Sequence, residues 1–144
     1  MRRVIGLGCA VVVLSVAGVS LASSATLLQT GKSSVKGAQK TVVVDTRGMT
    51  LYTLSDERVG NLKCLTQACF GFWPPYKVSA TEPLTKARGI SGTLGRLRRV
   101  KGRFYQLMLN GHPLYRFSGD QNKKGSAKGE GIKSYGGTWH VVTP

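Results

Sequence analysis

Residues 103–117 read Arg103-Phe104-Tyr105-Gln106-Leu107-Met108-Leu109-Asn110-Gly111-His112-Pro113-Leu114-Tyr115-Arg116-Phe117. Two apolar runs flank Asn110-Gly111. That dipeptide is the strongest short signal for a two-residue hairpin turn, because both central residues of the turn take positive φ. The stretch is therefore a β-hairpin, with 103–109 running out and 112–117 running back. Pro113 stands at the start of its strand, where a missing N–H costs least. Upstream, residues 97–100 followed by the turn Lys101-Gly102 add a third strand, so the region is a meander.

The first half of the chain repeats this pattern. Residues 42–44 form a strand, Asp45-Thr46-Arg47-Gly48 a turn, and residues 49–54 the return strand. Laid over the second half, Gly48-Met49-Thr50-Leu51-Tyr52-Thr53-Leu54 aligns with Gly111-His112-Pro113-Leu114-Tyr115-Arg116-Phe117. Five residues past each tyrosine comes an acid, Glu57 and Asp120. Further on, Gly71-Phe72-Trp73 aligns with Gly137-Thr138-Trp139. A unit of this size buries too little surface to stand alone. The expected fold is therefore all-β, with two tandem related hairpin or meander units sharing one core. A short helical or irregular segment carries the cysteines. The single β domain is expected over 41–144, with repeats at about 41–76 and 93–143, joined across 76–92.

The N-terminus reads differently. Met1-Arg2-Arg3 is followed by an uncharged apolar run to Leu21 and then by Ala22-Ser23-Ser24-Ala25. That order is a secretory signal peptide over 1–25. No transmembrane span is expected in the mature form. Cys9 lies inside the apolar run, too early to be a lipidated cysteine, and is discarded with the signal. Residues 26–40 mix Thr, Ser, Gly, Lys and Gln with little pattern, and read as a flexible tether.

The chain has 144 residues, with 21 Lys and Arg against 6 Asp and Glu, for a net charge of +15. Losing Arg2 and Arg3 with the signal leaves 19 bases against the 6 acids, or +13. So few acids leave little for a calcium cage or a two-carboxylate active site. The mature form keeps Cys64 and Cys69. An even count in an exported protein reads as one disulfide, and no second cysteine pair completes a zinc site.

Tyr115-Arg116-Phe117-Ser118-Gly119-Asp120 has the form Y-x-[FWY]-x-x-D. It stands beside Asn110-Gly111-His112-Pro113-Leu114, and beside Cys64-x4-Cys69 followed by Trp73-Pro74-Pro75. Together these strings resemble the bacterial family described as lipoprotein with Yx(FWY)xxD motif, or secreted repeat of unknown function. The resemblance covers about residues 41–143. It implies an exported bacterial protein with two such repeats, periplasmic or extracellular, and supplies no activity. The chain departs from the pattern in several places. Leu54 replaces the aromatic in the first copy, and Glu57 replaces the aspartate. The second copy carries residues 125–128 where the first has its cysteines, and there is no lipobox.

Tyr115 and Phe117 are two apart on a strand and share a face. They read as a core aromatic pair, with Asp120 accepting N–H bonds in the following turn. The other reading is an exposed aromatic ledge for a ligand. Tyr52, Trp73 and Trp139 divide the same way, with core favoured. His112 and His140, with Met49 and Met108, offer imidazole and thioether from which a weak copper site can be drawn. No cofactor is expected, and a copper- or redox-linked envelope protein is the alternative. There is no G-x-S-x-G elbow, and export disfavours a reduced cysteine nucleophile, so an enzyme is not expected. The basic candidates are Arg96, Arg98, Arg99, Lys101 and Arg103, then Lys123 and Lys124, with Lys128 and Lys133 in the same Gly-rich loop. Such charge attracts polyanions. For an exported protein these are lipid headgroups, lipopolysaccharide or teichoic acid rather than nucleic acid.

Overall fold

The computed structural model describes residues 26–100 and 103–144. The signal-peptide reading of 1–25, with Arg2, Arg3 and Cys9, and the turn at Lys101-Gly102 lie outside the described residues. The first unit contains β1 (Gln29–Val35), β2 (Ala38–Val44), β3 (Tyr52–Leu54), the short helix α1 (Gln67–Phe72) and β4 (Lys77–Val78). The second contains β5 (Leu94–Arg99), β6 (Phe104–Leu109), β7 (His112–Pro113), a 3-10 turn (Ser118–Asp120), β8 (Lys133–Ser134) and β9 (Gly137–Val141). The strand pairs are antiparallel. The all-β expectation therefore holds, with one short helix beside the Cys64–Cys69 disulfide. Among the described residues no helix is long and apolar enough to cross a membrane.

The tether reading of 26–40 is wrong. Residues 29–35 form β1, which pairs in full with β2 around the two-residue turn Lys36-Gly37. Lys36 has φ 48° and Gly37 φ 82°, the geometry that matches the twist of a tight hairpin. The inward positions of β1 are Gly31, Ser33 and Val35, too small and polar to show apolar alternation. The packing requires that. A Cβ on Gly31 would stand 2.9 Å from Val44 Cγ1, and Ser33 Oγ shares a 2.8 Å hydrogen bond with Thr50 Oγ1. Leu27 and Leu28, just ahead of the strand, are buried in the core. β1 is thus the counterpart of β5, and the first repeat begins near residue 29 rather than 41.

The meander is present as β5–β6–β7. The Asn110-Gly111 turn has φ 53° and 77°. The return segment is regular only over His112–Pro113, because the chain then leaves its own unit. The same happens after the first turn, where Val44 still pairs with Thr50 but β3 turns away to pair with β9 of the other unit. Reciprocally, β4 of the first unit pairs with β6 of the second.

Each crossing point is closed by a ring of three backbone hydrogen bonds. Leu51 N–H donates to Val43 O (3.1 Å), Val43 N–H to Val142 O (2.7 Å), and Val142 N–H to Leu51 O (2.9 Å). In the other half, Leu114 N–H donates to Leu107 O (3.0 Å), Leu107 N–H to Tyr76 O (2.9 Å), and Tyr76 N–H to Leu114 O (2.9 Å). The two rings use equivalent positions of the repeats. The main apolar core mixes both units, with Leu28, Val43 and Leu51 against Leu107, Leu109 and Leu114.

Candidate functional site

The two family motifs meet at the junction of the units. Tyr52 and Tyr115 pair directly. Tyr52 N–H donates to Tyr115 O at 2.8 Å, and Tyr115 N–H donates to Tyr52 O at 3.0 Å. Both side chains are fully buried. The acid of the second copy serves the tyrosine of the first. The Tyr52 hydroxyl donates to Asp120 Oδ2 at 2.6 Å. The Tyr115 hydroxyl accepts from the Arg99 guanidinium, and the Glu57 charge raises its pKa.

Each acid also ties down its own copy's loop. Asp120 Oδ1 accepts from Ser126 Oγ (2.6 Å) and Lys128 N–H (2.9 Å). Glu57 Oε1 accepts from the N–H groups of Lys63 and Cys64, each at 2.9 Å. Glu57 Oε2 is buried and has no hydrogen-bond partner. Burial, then the Asp120 hydrogen bond and charge, push the Tyr52 phenol well above its ordinary pKa. Burial, then the Glu57 charge, do the same to Tyr115 against the opposing pull of Arg99.

The tryptophans stack between these pairs. Trp73 and Trp139 lie 3.8 Å apart and 5° from parallel. Phe117 stacks on the other side of Trp73 at 4.4 Å, and Tyr115 meets Trp139 edge-on at 5.0 Å. The core reading holds fully for Tyr52, Tyr115, Trp73 and Trp139. Phe117 is half-buried, at the edge of the stack. Asp120 holds a turn as expected, but its tie to Tyr52 joins the two repeats. A single-copy reading of the motif does not contain that bond.

The basic candidates are not one surface. Arg99 belongs to no basic surface, because its guanidinium is buried. It donates to Tyr115 Oη (2.5 Å), Gln106 Oε1 (2.7 Å) and the Cys64 carbonyl (3.2 Å). Along β5 Leu94 to Leu97 are half-buried, Arg98 is exposed, and Arg99 falls on the inner side. Arg96 is half-buried and clamps the Ser79 and Glu82 carbonyls. Arg98, Arg103, Lys123 and Lys124 are exposed, while Lys101 lies outside the described residues. A cleft of about 590 Å³ at the end of the β5–β6 hairpin is lined by Arg98, Arg99, Val100, Arg103 and Tyr105.

The acids are placed the opposite way. Asp45, Glu57 and Asp120 are buried, Glu82 and Glu130 are partly covered, and Asp56 is exposed. Asp45, which sequence reading treated only as a turn residue, accepts from the N–H groups of Arg47 and Met49 and pairs with Arg116 at 2.6 Å. Asp at the first position of a turn was the available signal for the first two bonds. No local pattern marks Arg116 as its partner, 71 residues away. Gln106, buried on β6, holds the Leu114 carbonyl at 2.8 Å.

The histidines serve different partners. His112 Nδ1 is 2.7 Å from the Glu57 carbonyl, and His140 pairs with Glu130 at 3.0 Å. Among the described residues no three His, Cys, Asp or Glu side chains are grouped as metal ligands. Met49 and Met108 are buried.

No curated protein and no solved structure matches the chain. Residues 104–143, from β6 to just past β9, match the family model described as a secreted repeat of unknown function, the family that the Tyr115-x-Phe117-x-x-Asp120 motif resembles.

Proposed function

We propose that the chain is an exported bacterial envelope protein, directed by residues 1–25, that binds anionic envelope components through a cationic surface. In this reading it works without catalysis and without a cofactor. The observation that supports it is the fate of the acids. The fold draws Asp45, Glu57 and Asp120 inside and leaves Asp56 exposed, while Lys32, Lys36, Arg98, Arg103, Lys123 and Lys124 stay outside. The outward charge is thus more one-sided than the composition alone. A one-sided field of this kind concentrates polyanions and is screened by salt. The charged and phenolic groups of the two motifs have structural partners. Asp120 holds Tyr52, Arg99 holds Tyr115, and Glu57 holds its own loop.

The test is co-sedimentation with phosphatidylglycerol vesicles, phosphatidylcholine vesicles and a soluble polyglycerol phosphate over a salt series. Binding to an anionic probe is expected to weaken by about tenfold or more between ~50 and ~200 mM salt. The double variant Lys123→Ser, Lys124→Ser should bind several-fold more weakly with an unchanged melting temperature. Equal binding to the zwitterionic vesicles, or binding indifferent to salt, would overturn the reading.

A further inference from the structure

The contacts that complete each half of the molecule come from the other half. β3 is paired by β9, and β6 by β4. Tyr115 bridges to Tyr52 and Pro75. Each hydrogen-bond ring takes its third member from the opposite repeat, Val142 in one and Tyr76 in the other. The Trp73–Trp139 stack, the Tyr52–Asp120 bond and the Arg116–Asp45 ion pair also cross between repeats. The entry to β1 joins the same exchange, since Leu27 and Leu28 N–H both donate to Thr85 O, and Ala87 N–H donates to Leu28 O.

One short turn, residues 79–83, connects the two exchanged pieces, 26–78 and 84–144. Ser79, Ala80, Thr81 and Pro83 are exposed. Two devices keep the turn closed. Ser79 and Glu82 bond each other's N–H through their side chains, and Arg96 grips the Ser79 and Glu82 carbonyls.

We propose that the chain is a covalently fused dimer of repeats whose partner surface is a second copy of itself. When the 79–83 turn opens, residues 26–78 of one copy pair with residues 84–144 of another, and the reverse. This gives a domain-swapped dimer of two lobes. Every contact between repeats is remade between chains, so opening costs only the turn and the entropy of association. Each lobe displays its own cationic surface, so the dimer is bivalent toward a polymer and gains avidity without a new contact. That consequence rests on the polyanion reading. The dimer itself does not.

The first experiment shortens the turn by deleting Ala80, Thr81 and Glu82 in the full chain, so that one copy can no longer close on itself. Size-exclusion chromatography with light scattering should then show twice the chain mass. The near-ultraviolet circular dichroism of the stacked tryptophans should be retained. A folded monomer would overturn the proposal. If the deletion variant fails to fold, a second measurement decides. Tyr52→Ala and Tyr115→Ala chains are unfolded in denaturant and refolded together at high concentration. A swapped heterodimer carries both substitutions in one lobe and none in the other. The mixture should therefore recover tryptophan dichroism that neither chain recovers alone. No recovery beyond the sum of the separate chains would sink the idea. Vesicle binding is read separately, so a dimer that does not bind anions refutes the functional reading and leaves the swap standing.

Discussion

Asp120 accepts three hydrogen bonds, from the Tyr52 hydroxyl, the Ser126 hydroxyl and the Lys128 amide. One of them spans the two repeats. A turn-holding aspartate alone is worth about 1 kcal/mol. Here a buried carboxylate satisfies three donors, and its loss strands the Tyr52 hydroxyl. Asp120→Ala is therefore expected to destabilise by about 3 kcal/mol, in the range of hydrogen bonds to charged groups. Phe117 is only half-buried at the end of the ring stack, so Phe117→Ala should cost about 2 kcal/mol, below the ~3–5 kcal/mol of a fully buried phenylalanine. Denaturant melts of the two variants check the order. A larger loss for Phe117→Ala would show that the carboxylate network is secondary. Gly129 supplies a second test. A Cβ there would lie 2.8 Å from Tyr52 Cε1 and 2.9 Å from Trp73 Cη2, both rigid rings. Gly129→Ala should cost about 1–3 kcal/mol through overpacking. A neutral result in the same melts would mean that the 129–131 segment yields easily.

At the scale of elements, β1 decides where the domain begins. Its backbone completes β2, its Ser33 reaches Thr50, and its leading Leu27 and Leu28 fill the space beneath the 84–90 segment. Leu28→Ala should cost about 2–5 kcal/mol as a fully buried leucine. Removing residues 26–35 should abolish the cooperative thermal transition. A tether could be trimmed without effect, so an unchanged melting curve after truncation would restore that reading. The contrast with β5 is instructive. β5 carries Leu94 and Leu97 beside its arginines, and its partner β6 is a continuous apolar run but for Gln106. Both hairpins are real, but only the second has an apolar pattern that shows it.

For the molecule as a whole, the buried phenols set the alkaline limit. Burial, then the Asp120 bond and charge, raise the pKa of Tyr52. Burial, then the Glu57 charge, raise Tyr115, and burial leads again for Tyr76. A phenol whose folded pKa lies above its unfolded value of about 10 stabilises fully below that pH. Above it, the unfolded chain releases protons that the folded chain keeps, so stability falls as pH rises. Each such tyrosine contributes a slope of about 1.4 kcal/mol per pH unit above ~10. Stability should be nearly flat from pH 8 to ~10 as far as these groups are concerned, then decline steeply. Tyr115→Phe should make the decline shallower by one tyrosine's share, read from urea midpoints at pH 10 to 11. An unchanged slope would mean that Tyr115 ionises freely in the folded state.

Local chemistry is legible in the order of residues along the chain. Asn110-Gly111 dictates a tight turn because both residues tolerate positive φ, and the alternation around it dictates strands. The recurrence of tyrosine, acid and tryptophan at matching offsets dictates two related units too small to fold apart. Cys64 and Cys69, five residues apart, form the disulfide that their spacing in one short segment suggests. The tertiary structure alone decided which copy each motif serves. Nothing within ten residues of Tyr52 says that its hydroxyl belongs to Asp120, or that Val142 rather than a neighbour completes the ring at Leu51. Those bonds are set by how two twisted hairpins bury one shared core. Arg99 and β1 were misread for the same reason. A buried arginine and a strand faced with Gly31 and Ser33 look like solvent-exposed sequence until the surfaces they meet, Gln106 and Tyr115 for one and Val44 and Thr50 for the other, are brought against them.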